Sequence, residues 1–305
     1  MTTAITIMSG DQLEKAIACN RFYHRSSSAA FPPAQFASLD PESAIFAAAV
    51  ARWQRDHALN IDGILGPKTA AALQGRTWKS PKGENYLIVK GEKVPTSFPV
   101  VHWTHPEGFS FERVIEAIPD FNGVGKRANP TIGGIERFVI HWDECTSSHD
   151  CFHVLLWRGL SVQLFLDSDG TLYQGMDLVN DLGRHARWTN ETSVGIEINN
   201  PVTLRKTYNV QNRKIVRAQE PHTADPNWRH LDYTEVQKSV MKQLVPAICD
   251  ALEIPRTLPQ DDSGEVPKGL IPDPTEYKGV MGHYHLQTDK VDPGYTLWPL
   301  LLKVL

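Results

Sequence analysis

The chain has 305 residues, 41% of them hydrophobic and 22% charged, with a formal net charge of −4. At about 150 residues per domain that length holds one large domain and a small one, and it buries a core without disulfide staples. The charge balance excludes a global basic field for nucleic acid or an anionic membrane, and no run of about 20 apolar residues offers a membrane span. The opening segment MTTAITIMSGDQLEKAIAC lacks the basic and apolar regions of a Sec signal, so the expectation is synthesis in the cytoplasm. The four cysteines, Cys19, Cys145, Cys151 and Cys249, are no disulfide framework. Cys145 and Cys151 are close enough for one local bridge, with two free thiols as the alternative.

Residues 1–35 are weakly patterned, and Ser26-Ser27-Ser28 and Pro32-Pro33 predict irregular chain. Asp40-Pro41-Glu42 predicts a helix start, followed by Ile45, Ala48, Ala49, Arg52 and Trp53 at helical spacing. Asp62-Gly63 is a turn signal, and Gly66-Pro67 opens a second helix, PKTAAAL. Lys, Gly and Pro over 79–100 read as a linker. Beyond it, segments alternate as in an α/β domain. Phe138–His141 is a strand, Val154–Trp157 is helical, and Val162–Leu166 with Thr171–Tyr173 form a hairpin around Ser168-Asp169-Gly170. Ser193–Ile198 is another strand. Residues 201–228 and 255–277 read as long loops. Val236, Val240, Leu244, Ile248 and Leu252 mark an amphipathic helix over 234–252. Residues 279–285 approach a last strand or turn.

The chemistry-bearing residues gather in two places. His141 ends the strand FVIH, a rigid mount for a ligand. GHYHLQTDKVDPG then offers His283 and His285, which share a face if the segment is extended, and Lys290 and Asp292, with Pro293-Gly294 fixing the backbone. A catalytic zinc usually takes three ligands from His, carboxylate or thiolate, so two histidines and a carboxylate beside a lysine form a candidate metal and oxyanion site. The alternative is a set of hydrogen-bonded surface histidines. Cys145, His149, Cys151 and His153 are spaced too tightly for the usual Cys/His zinc patterns. Glu197 could equally pair with an arginine.

Two resemblances sharpen this. Trp53-Gln54, Leu59, Asp62-Gly63 and Gly66-Pro67-Lys68-Thr69, over residues 40–75, resemble the peptidoglycan-binding domain found beside many wall hydrolases. Val139-Ile140-His141, Asp167-Ser168-Asp169-Gly170-Thr171-Leu172-Tyr173-Gln174, His185-Ala186 with Asn190 and Ser193-Val194-Gly195-Ile196-Glu197, and Gly282-His283 with Lys290-Val291-Asp292-Pro293-Gly294 resemble, in order, the zinc amidase family. That family is shared by phage amidase lysozymes, bacterial recycling amidases and animal peptidoglycan-recognition proteins, and the likeness covers about 136–300. It implies a mixed central β-sheet flanked by helices, beside an all-α three-helix module, with domains at 1–78 and 101–305. It implies zinc on His141, His283 and Asp292, with Glu197 as general base and Lys290 steadying the oxyanion. His185 and Asn190 fall near the substrate. The gap from His283 to Asp292 is short for the recycling members, which leaves His285 as a reserve ligand. The Cys145/Cys151 pair resembles a disulfide of the animal proteins.

The implied activity is hydrolysis of the bond between N-acetylmuramic acid and L-alanine of peptidoglycan. A non-catalytic recognition protein and a cytosolic recycling amidase are the alternatives. A lytic enzyme made in the cytoplasm would act as a type VI secretion effector, partnered by an immunity protein, or as a phage endolysin.

Overall fold

The computed structural model describes residues 8–26, 31–201, 213–218 and 220–305. The α-helices are α1 (Gly10–Ser26), α2 (Ala44–Asp56), α3 (Pro67–Leu73), α4 (Phe111–Ala117), α5 (Ser148–Arg158), α6 (Glu235–Leu252) and α7 (Trp298–Leu301). The strands are β1 (Glu84–Val89), β2 (Glu92–His102), β3 (Val124–Lys126), β4 (Arg137–Trp142), β5 (Leu164–Leu166), β6 (Leu172–Gln174), β7 (Asp181–Gly183), β8 (Ser193–Ile198), β9 (Ile215–Ala218), β10 (Trp228–Leu231) and β11 (Gly279–Gly282). Seven of them form one mixed sheet in the order β1-β2-β6-β5-β8-β4-β11. The run β5-β8-β4-β11 is parallel, and the β1/β2 and β5/β6 pairs are antiparallel. The expected mixed sheet flanked by helices is present.

Side-chain alternation assigns the faces. Phe138 and Ile140 of β4 with Val194, Ile196 and Ile198 of β8 pack under Met241, Leu244, Val245 and Ile248 of α6. That helix begins where its sequence pattern puts it, with Thr234 and Gln237 forming a reciprocal cap. The other face carries Phe165 and Tyr173, covered by Phe109, Phe111 and Phe152. His141 and Glu197 have the opposite parity to the α6-facing residues. They therefore point away from that helix, side by side in the β4–β8 register.

Several expectations are corrected. Residues 84–102 are no linker. Leu87, Val89, Phe98 and Val100 are buried, and β2 lies parallel to β6 through Val100–His102. Lys90-Gly91, both at positive φ, is the tip of the β1–β2 hairpin. The irregular N-terminus holds α1, whose apolar residues lie among polar ones and become a buried face only on docking. The helix expected from Asp40 is α2, which starts at Ala44 with Ser43 as its cap, the Ser43 hydroxyl accepting from Phe46 N at 3.2 Å. Within 201–228, residues 202–212 lie outside the described set, but β9 and β10 pair as a hairpin. The 255–277 segment has no regular element, as expected. It covers one sheet edge, where Val280 N donates to Thr257 O at 2.9 Å. At the other edge the Gln174 amide bonds both the N–H and the carbonyl of Ile88, at 2.9 and 2.7 Å.

The N-terminal helices surround a small cluster of Phe36, Phe46, Val50 and Leu65. Gln54 is its polar hub. Its amide donates to Asp62 Oδ1 (2.7 Å) and Thr69 Oγ1 (3.0 Å) and accepts from Gly63 N (2.8 Å). Gly63 has φ +69° and would clash at Cβ with Ala47 O, which is why the turn needs glycine. This module does not stand apart at residue 78. Ala16, Cys19, Phe22, Ala47 and Ile64 share one cluster with Phe109, Phe111 and Phe152. Polar ties reinforce the docking of α1 on α5, with Lys15 Nζ to Asp150 Oδ1 at 3.0 Å and Tyr23 Oη to His153 Nε2 at 2.8 Å. No helix among the described residues is long and apolar enough to cross a membrane.

Candidate metal centre

Three side chains converge at the C-terminal ends of the parallel strands. His141 stands at the end of β4, His283 follows β11, and Asp292 lies in the turn beyond. His141 Nδ1, His283 Nδ1 and Asp292 Oδ2 form a triangle with each side 3.0 Å. All three residues are buried. Two facing imidazole nitrogens and a carboxylate oxygen share at most a proton or two, so most of their lone pairs point at one spot. Tetrahedral donors about 2.0–2.1 Å from a zinc-sized ion lie about 3.3 Å apart, a few tenths from this spacing. The spacing of the triangle therefore fits a divalent ion.

The outer partners make the tautomers consistent. His141 Nε2 lies 3.2 Å from His185 Nδ1, so a proton on His141 Nε2 leaves Nδ1 free for the centre. On the second ligand, His283 Nε2 is 2.7 Å from the Gln287 side-chain nitrogen while Gln287 Oε1 is buried without a partner. Turning that amide over satisfies both groups: Oε1 accepts from His283 Nε2–H, and Nδ1 is again free. Amide orientation is set by such networks. Burial and the neighbouring His283 push His141 down to about 4. Burial alone would raise Asp292, but His283 and His141 hold it well below the usual carboxylate range.

Glu197 sits on the neighbouring strand, paired with His141 in register. Its Oε2 is buried without a hydrogen bond. Burial, and then the charges of Asp292 and Asp143, push its carboxyl well above the ordinary range, against Lys290 and Arg158. The side chains of Glu197 and Lys290 line the same groove as the triangle, a cavity of 270 Å³. The arrangement thus holds a buried carboxyl of raised proton affinity and an ammonium beside a candidate cation site.

His185 and Asn190 both stand beside the triangle, and each has a supporting contact there. His185 lines the groove and backs His141. It fits because Gly195 lacks a Cβ, which would come within 2.6 Å of the ring. Asn190 Oδ1 accepts from His185 N (3.1 Å) and Ala186 N (2.7 Å), so that oxygen holds the turn. His285 is not at the centre. Residues 283–285 form a 3-10 turn rather than extended chain, which sends the two rings apart, and His285 bonds Gly282 N and Pro267 O at 3.0 and 3.1 Å. The Cys145–Cys151 bridge is not formed. Both are free thiols in a mutual hydrogen bond; that bond alone would lower Cys145, but burial together with the charges of Asp143, Asp150 and Glu197 pushes it up to about 11. His149 and His153 do not join them: His153 bonds Tyr23, and the His149 nitrogens have no partner.

Supporting residues escaped the sequence reading. The Glu220 and His230 side chains, fully buried, meet at 2.8 Å, and Glu220 Oε2 accepts from Tyr295 N at 2.6 Å. Tyr233 Oη donates to Pro293 O at 2.7 Å. The β9–β10 excursion so braces the turn that carries Asp292. The buried Arg127 donates to the carbonyls of Asn190, Glu191 and Ser193, each at 2.6 Å, and secures the turn before β8. Only Gln287 left a trace in sequence, four residues after His283.

Residues 129–295 match the family described as N-acetylmuramoyl-L-alanine amidase, and residues 43–73 match a peptidoglycan binding domain. Among solved structures, the chain resembles N-acetylmuramoyl-L-alanine amidase LysC from Clostridium intestinale URNW at 12% identity and TM-score 0.35, over 68% of this chain and 97% of that one. It resembles the Ph2119 endolysin from Thermus scotoductus MAT2119 bacteriophage Ph2119 at 13% identity and TM-score 0.37, over 67% and 97%. Drosophila PGRP-LB is similar at 20% identity and TM-score 0.31, over 58% and 83%. No curated protein matches the chain.

Proposed function

The chain belongs to the N-acetylmuramoyl-L-alanine amidase family, and on that premise we propose that it is a zinc-dependent enzyme cutting the amide between N-acetylmuramic acid and L-alanine. The observation that carries the reading is the 3.0 Å triangle of His141 Nδ1, His283 Nδ1 and Asp292 Oδ2, set beside the buried carboxyl of Glu197. Zinc held there would supply Lewis acidity toward the scissile carbonyl and make water acidic.

The other roles fall to the chain. Glu197, with a partner-free oxygen in the groove, takes the proton from the attacking water and passes it to the departing amide nitrogen. Its raised affinity for a proton suits it to the second half of that transfer. Lys290 offsets the negative charge that develops on the carbonyl oxygen. His185 and Gln287 hold the two imidazoles with their Nδ1 atoms inward. A complete donor set with a base beside it favours catalysis over recognition alone.

The peptidoglycan-binding match supports the polymeric wall as substrate rather than soluble muropeptides, since a tethering module raises local concentration only at a polymer. We therefore propose a bacteriolytic role, by effector delivery or phage release. The effector would be neutralised by a cognate immunity protein. The test is mass spectrometry of purified sacculi after digestion, with chelator and then with zinc restored. Chelator-sensitive release of stem peptides bearing a free L-alanine amine is expected. Sedimentation with sacculi and no release would overturn the hydrolase in favour of a recognition protein.

A further inference from the structure

One wall of the groove carries two thiols and a carboxylate that the mechanism does not use. Asp143 follows β4, Cys145 lies just beyond it, and Cys151 is in the first turns of α5. All three line the groove. One donor atom from each, a thiol sulfur or a carboxylate oxygen, lies within 4.8 Å of the other two. Hydrogen bonds fix the loop that carries them. Asp143 N donates to Ile198 O at 3.2 Å, and Asp143 Oδ1 accepts from Cys145 N at 3.0 Å and Asn200 N at 3.1 Å. Asn199 Nδ2 donates to Cys145 O at 2.9 Å. Asp143 Oδ2 accepts only from Asn199 Nδ2, at 3.2 Å, which leaves it a lone pair.

Three groups that each become an anion on losing a proton are thus held together. Among the described residues Asp143 forms no ion pair with a lysine or arginine. The two thiols meet each other, a contact that uses one proton and spares most of the sulfur lone pairs. A divalent cation would neutralise the group, and thiolate sulfur selects zinc or cadmium over magnesium or calcium. Two thiolates about 2.3 Å from a tetrahedral zinc stand about 3.8 Å apart, so the donors need close by no more than about 1 Å. Cys151 lies in the N-terminal part of α5, where the helix dipole favours a thiolate. The other cysteines are engaged elsewhere. Cys19 Sγ bonds His153 O at 3.7 Å, and Cys249 packs in the core under α6.

We propose that Asp143, Cys145 and Cys151 form a second metal site, for a thiophilic divalent cation of the zinc class, distinct from the triangle of His141, His283 and Asp292. Binding exchanges the two thiol protons, released to solvent, for two metal–sulfur bonds, and Asp143 Oδ2 supplies the third ligand. No electron is transferred. The site goes beyond the amidase reading and does not depend on it, because it shares no donor with the triangle.

The test is titration of the full, metal-free, reduced chain with cadmium, a probe that both sites accept. The wild type is expected to bind two equivalents, one of which raises the ultraviolet thiolate-to-cadmium charge-transfer band. Cys145→Ser with Cys151→Ser is expected to lose that band and one equivalent while keeping the other. His141→Ala is expected to do the reverse, so failure of the triangle and failure of the thiol site give different results. Asp143→Asn is expected to weaken the band-bearing equivalent by about tenfold or more, at least what loss of an outer partner costs. Cadmium NMR of the wild type reads the same question without a substitution: a sulfur-ligated resonance is expected apart from a nitrogen- and oxygen-ligated one. Absence of both the band and the sulfur-ligated resonance in the reduced wild type overturns the site. So does a band of full strength in the double Ser variant, or a Cys145–Cys151 disulfide in peptide maps of the chain isolated anaerobically.

Discussion

At the scale of single residues, the proposed mechanism separates holding a metal from moving a proton. His141→Ala and Asp292→Ala each remove one corner of the 3.0 Å triangle, so stoichiometric zinc should be lost along with activity, as read by elemental analysis of the purified protein. Glu197→Gln should keep its zinc and lose about 10²–10⁴-fold in kcat; full activity in that variant would refute the proton-transfer role. Gln287→Leu removes the acceptor for His283 Nε2–H and should weaken zinc about 10–100-fold in a chelator competition, while Gln287→Glu retains an acceptor and should bind nearly as well. The residues proposed as ligands and base were legible as candidates because they end hydrophobic strands or sit in the block KVDPG. The turn of His285 away from the centre was not, because two histidines two apart share a face only in extended chain. Nor was the bond of Asn190 Oδ1 to the turn at His185 and Ala186, since an amide near a site looks the same in sequence whatever its oxygen accepts.

Among elements, the docking of α1 onto α5 depends on charge. Asp150 is held below the usual carboxylate range: burial would raise it, but Lys15 outweighs burial. Burial likewise lowers Lys15, and Asp150 outweighs it to leave its pKa raised. The sign follows. The Asp150 contribution is complete above its unfolded pKa of about 3.9 and is lost as pH falls through the lower folded value. The Lys15 contribution is lost only at strongly alkaline pH. The pair, mostly buried and hydrogen-bonded, is worth about 1.5–3 kcal/mol. Amide exchange in α1 should therefore accelerate below about pH 4, and Asp150→Asn should abolish that dependence; an unchanged acid profile in the variant would refute it. The elements read from sequence were those with one dominant period, such as α6 and β4. The helix α1 and the β1–β2 hairpin were missed because their burial depends on partners far along the chain: Phe22 on Phe152, and Val100 on Leu172.

For the whole molecule, the two family matches are sequence units but share one hydrophobic cluster. Calorimetry should show a single cooperative transition. Phe22→Ala, which opens a cavity between module and sheet, should lower all of it by about 3–5 kcal/mol; two separable transitions, with only the first moved, would mean independent domains. The covered sheet edges have a further consequence. A seven-stranded sheet ordinarily offers two rows of unpaired backbone groups, and such rows recruit strands from other chains. Here Gln174 occupies Ile88 at one border and Thr257 occupies Val280 at the other. With both of these border residues engaged, the seven-stranded sheet gives neighbouring copies less template for strand addition at Ile88 and Val280.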